Sequence, residues 1–142
     1  MKIIRITTDN ELSVHDFPEG TYEARDAVLC NLVGPKCELL EHVMPKRLYR
    51  ELGGSNRVGK EMGSCVNMLI DEEGLRHNLD INTIGSYLYE TDKHGHPIVG
   101  NILIAGEVWH GNGISFCGLS DEQFNLLYPK FEELTKKARE SA

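Results

Sequence analysis

Long apolar runs are missing from this chain. The uninterrupted apolar stretches are a few residues long, against the roughly 20 that a membrane-spanning helix needs. Cations are outnumbered, with 15 Lys and Arg against 22 Asp and Glu and a formal net charge of −7. That balance argues against a general nucleic-acid coat or a membrane-surface binder, which work through excess positive charge. The four cysteines, at positions 30, 37, 65 and 117, have intervals that match neither zinc-finger nor redox patterns. Arg5 and Asp9 fall where a secretion signal needs a continuous apolar segment. The expectation is therefore a reduced, cytoplasmic setting with four free thiols, three of them among apolar neighbours. Nucleophile signatures are missing as well: there is no Gly-x-Ser-x-Gly, and no cysteine has a context that marks it as activated. Neither a linker, a repeat nor a Pro/Ser-rich tract interrupts the 142 residues, which suit a single domain over 1–142.

What is present is well punctuated. Lys2–Thr7 and Glu11–Phe17 alternate with β-branched residues around the turn cluster Thr8-Asp9-Asn10, a β-hairpin. Thr21 can cap a helix reaching about Leu32, ended by Gly34-Pro35. Cys37–Met44 reads as a strand, and Pro45 opens a short helix stopped by Gly53-Gly54. Cys65–Ile70 is a strand, and Leu75–Asp80 is a candidate return strand after the acidic turn Asp71-Glu72-Glu73-Gly74. Asn82 or Thr83 can cap a helix to about Tyr89, followed by a polar turn over 91–97. Ile98–Trp109 is the most β-like stretch, broken by Gly100 and Gly106, with a further short strand at Ile114–Cys117. Ser120-Asp121-Glu122-Gln123 is a capping box for a closing helix that carries Phe124, Leu127, Phe131 and Leu134 on one face. The pattern predicts an α+β fold: a mainly antiparallel sheet of five to seven strands, a C-terminal helix and two or three short helices.

Charge is unevenly placed. Residues 1–60 carry nine cations and nine anions, whereas residues 61–142 carry six and thirteen. Within the balanced half, Lys46, Arg47, Arg50, Arg57 and Lys60 stand against Glu51 alone, a window that is either a solvated helix face or an anion site. It overlaps Gly54-Ser55-Asn56-Arg57-Val58-Gly59-Lys60, which has the glycine and lysine spacing of a Walker A loop. Glu61 occupies the place of the magnesium-binding Ser or Thr, and a helix rather than a strand precedes the loop. An ATP-hydrolysing P-loop is therefore rejected. Asn82, Ser86, Tyr87, Tyr89, Thr91 and Asn101 form a neutral hydrogen-bonding and aromatic set suited to bases and sugars, although tyrosines there also serve to pack a helix on a sheet. His94 and His96 have His-x-His spacing near Asp92, the start of a metal site that lacks an assigned third ligand.

Several motifs then carry a resemblance. Leu69-Ile70-Asp71-Glu72-Glu73-Gly74-Leu75, Leu79, Asn82, Tyr87-Leu88-Tyr89, the run from Ile98 to Glu107, and Leu119-Ser120-Asp121-Glu122-Gln123 resemble a family of small uncharacterised domains encoded mainly by bacteriophages, prophages and plasmids. That family tends to show "NEEG", "GLPxN" and "LTDEQ" segments, and Leu32-Val33-Gly34 fits its N-terminal layout. The loop over Gly53–Gly63 departs from it. The resemblance implies an origin and no reaction, so it supplies no catalytic residue. A mobile-element accessory protein without catalytic signatures is expected to bind rather than convert its target. The leading expectation is a non-enzymatic homo-oligomer that sequesters a small nucleotide-type ligand, such as an antiviral defence signal. Its site would draw on Arg47, Arg50, Arg57, Lys60, Asn82, Tyr87 and Asn101, and it needs no cofactor. One alternative is an acidic inhibitor that binds a host defence or nucleic-acid enzyme through Asp71-Glu72-Glu73 and Glu132-Glu133. Another is a small metal-dependent hydrolase built on His94 and His96.

Overall fold

Strand alternation decides the architecture. The computed structural model describes residues 1–59 and 61–141, so Lys60 lies outside the described residues. Six strands form one antiparallel sheet: β1 (Lys2–Ile6), β2 (Leu12–Asp16), β3 (Leu40–Val43), β4 (Cys65–Asp71), β5 (Ile102–His110) and β6 (Gly113–Cys117). The order is β2-β1-β5-β4-β3, and β6 pairs with the far half of β5. Among the described residues there are five helices: α1 (Tyr22–Val33), α2 (Lys46–Arg50), α3 (Thr83–Leu88), α4 (Thr91–His94) and α5 (Asp121–Ser141). This is an α+β fold. Among the described residues no helix is long and apolar enough to cross a membrane.

Period-two alternation in the central strands gives the sheet two buried faces. One face carries Ile4, Ile6, Val66, Met68, Ile70, Ile102 and Ile104 into a core with Leu48 of α2, Ile84 and Leu88 of α3, and Leu127 and Phe131 of α5. The other carries Ile3, Leu69, Leu103 and Ala105 against Leu29 and Val33 of α1. All seven residues of β4 are buried, as a strand covered on both sides must be.

The helix signals hold in detail. Thr21 Oγ1 accepts from the Ala24 amide at 3.2 Å, and Asn82 Oδ1 accepts from the Gly85 amide at 2.9 Å. The capping box forms by half. Ser120 Oγ accepts from the Gln123 amide at 3.2 Å, but Gln123 Oε1 accepts from the Ser55 amide at 3.0 Å and so anchors the start of the glycine-rich loop. In that loop the chain turns at residues 61–63 and enters β4, and among its described residues no helix presents amides to a phosphate, which agrees with rejecting a P-loop.

Three elements differ from the sequence reading. Leu75–Asp80 is not a strand, because the His77 amide bonds the Glu73 carbonyl (3.0 Å) and the Leu79 amide bonds the Gly74 carbonyl (3.3 Å), coiling the segment. The 91–97 segment contains the short helix α4. In the long β-like stretch, Gly100 breaks the strand with a φ of +83°, so β5 starts at Ile102. Gly106, in contrast, lies inside β5. A Cβ there would sit 2.5 Å from the Gly118 carbonyl oxygen and 2.7 Å from Gly63 Cα, so its role is close approach and not interruption.

Candidate functional site

Helices α2, α3 and α4 bring part of the cationic window to the tyrosine set. Arg47 of α2 places its guanidinium 4.8 Å from the centre of the Tyr87 ring and donates to the Tyr87 carbonyl at 2.9 Å. It also grips Asp92 of α4 with two bonds, at 2.8 and 3.1 Å. That partner raises the Arg47 pKa and holds the Asp92 carboxyl below its usual range. Glu51 lies one turn on, 3.7 Å from Arg47 Nε, and accepts from the Tyr87 hydroxyl. The result is a groove of about 390 Å³ lined by Arg47, Thr83, Ser86, Tyr87, Thr91 and Asp92. Its cation already has two carboxylates.

The other predicted residues disperse. Arg50 points to Glu90 at 3.7 Å, and Arg57 is exposed in the loop and does not line that groove. Asn82 is fully buried: its two amide hydrogens go to the Ile6 carbonyl at 3.1 Å and the Gly100 carbonyl at 2.9 Å while its oxygen caps α3. Nothing of that amide is left to hold a ligand. Asn101 accepts from the Thr8 amide at 3.2 Å, tying the first hairpin to the start of β5. His94 donates from Nε2 to the Tyr89 carbonyl at 2.7 Å and accepts at Nδ1 from the His96 amide at 3.2 Å. Both ring nitrogens are occupied, and among the described residues no three His, Cys, Asp or Glu side chains converge as metal ligands.

A larger concavity lies elsewhere. A cleft of about 600 Å³ opens between the end of β4, the acidic turn and the segment before β5. Glu41, Asp71, Glu72 and Glu73 supply its charge, with Tyr89, His96 and Ile98 among its walls. Asp71 is buried and accepts from His77 Nδ1 at 2.7 Å, and its second oxygen accepts from the Glu73 amide at 2.9 Å, which shapes the turn. Glu73 pairs with Arg76 at 2.5 Å. Among the described residues Glu41 and Glu72 have no ion-pair partner. The cleft therefore combines volume, aromatic wall and surplus negative charge. No family model, curated protein or solved structure matches the chain. The geometry of this cleft has to carry the functional reading.

A second polar cluster lies on the α1 face, where the sequence reading places no site. The buried Glu107 accepts from His42 Nε2, from Asn67 Nδ2 at 3.0 Å and from Cys65 Sγ at 3.6 Å, under Phe116, whose ring stacks on His42 at 5.7 Å. Its one sequence signal is a polar residue in the interior of each of two apolar strands, Asn67 in β4 and Glu107 in β5, both on the same face by alternation. Burial first, and then the Glu107 carboxylate, push the Cys65 thiol from 9.0 up to about 11, and Cys117 rises to about 11 for the same two reasons. Thiols with raised pKa values are poor nucleophiles at neutral pH, so the cluster joins β3, β4 and β5 rather than activating Cys65. It also sets an alkaline limit. The unfolded chain loses these protons near pH 9 while the fold retains them, so the stabilisation is complete below pH 9 and is lost as pH rises toward about 11. Melting temperatures measured from pH 8 to 11 should fall, and Cys65→Ala should make that fall shallower.

Proposed function

We propose that this chain is a non-enzymatic binding protein whose acidic cleft receives a basic segment of a protein partner. The observation that carries the reading is the cleft of about 600 Å³ lined by Glu41, Glu72, Glu73 and the buried, His77-bonded Asp71, with Arg76 as the one arginine in its lining. A lysine- or arginine-bearing segment would find Glu41 and Glu72 without internal partners, aromatic surface at Tyr89 for its aliphatic stems, and an acidic surround that speeds encounter. Strand β3, at the edge of the sheet, adds an open ladder beside Glu41 for an extended segment to pair with. Together with the resemblance to phage-encoded domains, this favours inhibition of a cytoplasmic host enzyme of defence or nucleic-acid metabolism, whose own basic surface evolved to hold phosphates.

A second reading rests on the Arg47–Tyr87 contact. A nucleotide could stack on Tyr87 and present a phosphate to Arg47, but it must displace Asp92 to do so. The two readings separate in one experiment. A fluorescent Lys/Arg-rich peptide is titrated at low and at physiological salt, and a panel of linear and cyclic dinucleotides is screened in parallel by thermal shift. Peptide binding that weakens with salt, and falls at least tenfold (about 1.4 kcal/mol) in the Glu41→Lys/Glu72→Lys double variant, supports the cleft. Unchanged affinity in that variant sinks the acidic-cleft reading. A dinucleotide that raises the melting temperature, and fails to do so in Arg47→Ala, establishes the second.

A further inference from the structure

Arg25 stands where the pattern of α1 calls for an apolar residue. Leu29 and Val33, one and two turns further along the helix, pack into the core against the sheet. Four residues before Leu29 on the same stripe comes Arg25, with Tyr22 a turn before that. The Arg25 side chain lines a hollow between α1 and β6, where Phe17, Tyr22, Leu29 and Phe116 supply apolar surface. Its Nε is buried and has no hydrogen-bond partner. Among the described residues its guanidinium forms no ion pair either. Asp26, the neighbouring carboxylate, is engaged elsewhere, its Oδ2 accepting from Cys30 Sγ at 3.9 Å. A charged donor buried without an acceptor costs stability that an apolar residue of similar length would not. Its presence here points to an acceptor from outside the chain.

We propose that this hollow binds a small monocarboxylate with an apolar body, Arg25 holding the carboxylate. The guanidinium Nε and a terminal nitrogen form a planar fork that matches the two oxygens of a carboxylate. The hollow measures about 20 Å³, room for a group the size of a carboxylate and not for a whole nucleotide. The body of the ligand lies on the aromatic surface around it. Tyr22 is 66 % exposed there, and Phe17 and Phe116 form walls. Charge narrows the choice further. Because Asp26 also borders the hollow, a phosphate dianion would meet a carboxylate as well as the guanidinium, whereas a monoanion is balanced by Arg25 alone. The hollow shares no lining residue with the acidic cleft, and its occupancy is independent of a basic partner there.

Sodium benzoate is the probe, titrated at constant ionic strength into the isotopically labelled full-length protein and followed by NMR, with benzamide as its uncharged counterpart. The Arg25 Nε–H resonance should shift and saturate at millimolar benzoate, and should stay still with benzamide. Arg25→Met should weaken benzoate binding by about tenfold or more, read on the backbone resonances of Tyr22 and Phe116. Since Nε has no partner within the chain, that variant should melt no lower than the wild type. Tyr22→Ala, which removes an exposed ring, should keep the fold and bind benzoate less tightly. An Arg25 Nε–H resonance that benzoate leaves unmoved, equal shifts with benzamide, or undiminished binding in Arg25→Met would each overturn the site. So would a marked fall in the melting temperature of Arg25→Met, which would reveal a partner for the guanidinium inside the fold.

Discussion

Asn82→Ala is expected to lower stability by about 3–7 kcal/mol and to leave little folded protein for any binding assay. Three losses add up to that figure. Removing the Oδ1 cap on the Gly85 amide costs about 1 kcal/mol, the usual value for an N-cap. The Ile6 and Gly100 carbonyls then each lose a buried donor, at about 1–3 kcal/mol apiece. Those carbonyls belong to the end of β1 and to the turn before β5, so the amide joins a helix start to two parts of the sheet. A melt and a urea titration measure the change. If the variant instead melts like the wild type and loses only ligand binding, Asn82 is a binding residue and the structural role fails. Asn82→Asp preserves the cap but not the donors, and is expected to recover only the smaller part.

Gly106→Ala is the second large effect, about 3 kcal/mol and a fall in melting temperature of about 10 °C. Gly106, Gly63 and Gly118 meet where β5, the loop before β4 and the segment after β6 cross. The added Cβ would meet only backbone: the Gly118 oxygen at 2.5 Å and Gly63 Cα at 2.7 Å. Backbone cannot rotate aside as a long side chain can, so the overpacking falls at the upper end of its usual range. Gly111 lies at the tip of the same β5–β6 hairpin, and a Cβ added there would have no atom within 4 Å. Gly111→Ala is therefore the matched control and should melt like the wild type. Equal melting of both variants would show that the three-glycine contact contributes nothing.

Much of the fold is legible in the sequence because its signals are local. Thr21, Asn82 and Ser120 cap helices within three residues of themselves, and Gly34-Pro35 ends α1 without help from the rest of the chain. Short apolar runs in β4 and β5 announce strands buried on both faces. The segments that depart from their pattern are those where a short bond competes with it. Leu75–Asp80 has strand-like residues but is coiled by two turn hydrogen bonds and by His77 on Asp71. The candidate site is legible only as residue types. Arg47 and Tyr87 both stand out in the sequence, and the fold does bring them together, yet Asp92 and Glu51 come with them. Asn82 and Asn101 have the chemistry of ligand-binding amides, which the fold commits to backbone carbonyls and amides instead.

By itself the sequence determined an α+β chain, a chain-wide excess of anions concentrated after residue 60, and the places where helices begin and end. These follow from composition and from contacts between residues a few positions apart. Tertiary structure alone decided which charges remain available. Arg47 meets a carboxylate 45 positions away, whereas Glu41 and Glu72, on neighbouring elements, keep their charge facing a cleft. Electrostatic partners are chosen by distance in space, which separation along a linear chain does not encode. The net charge of −7 indicated an acidic protein, and the folding of that charge made one acidic cleft out of it.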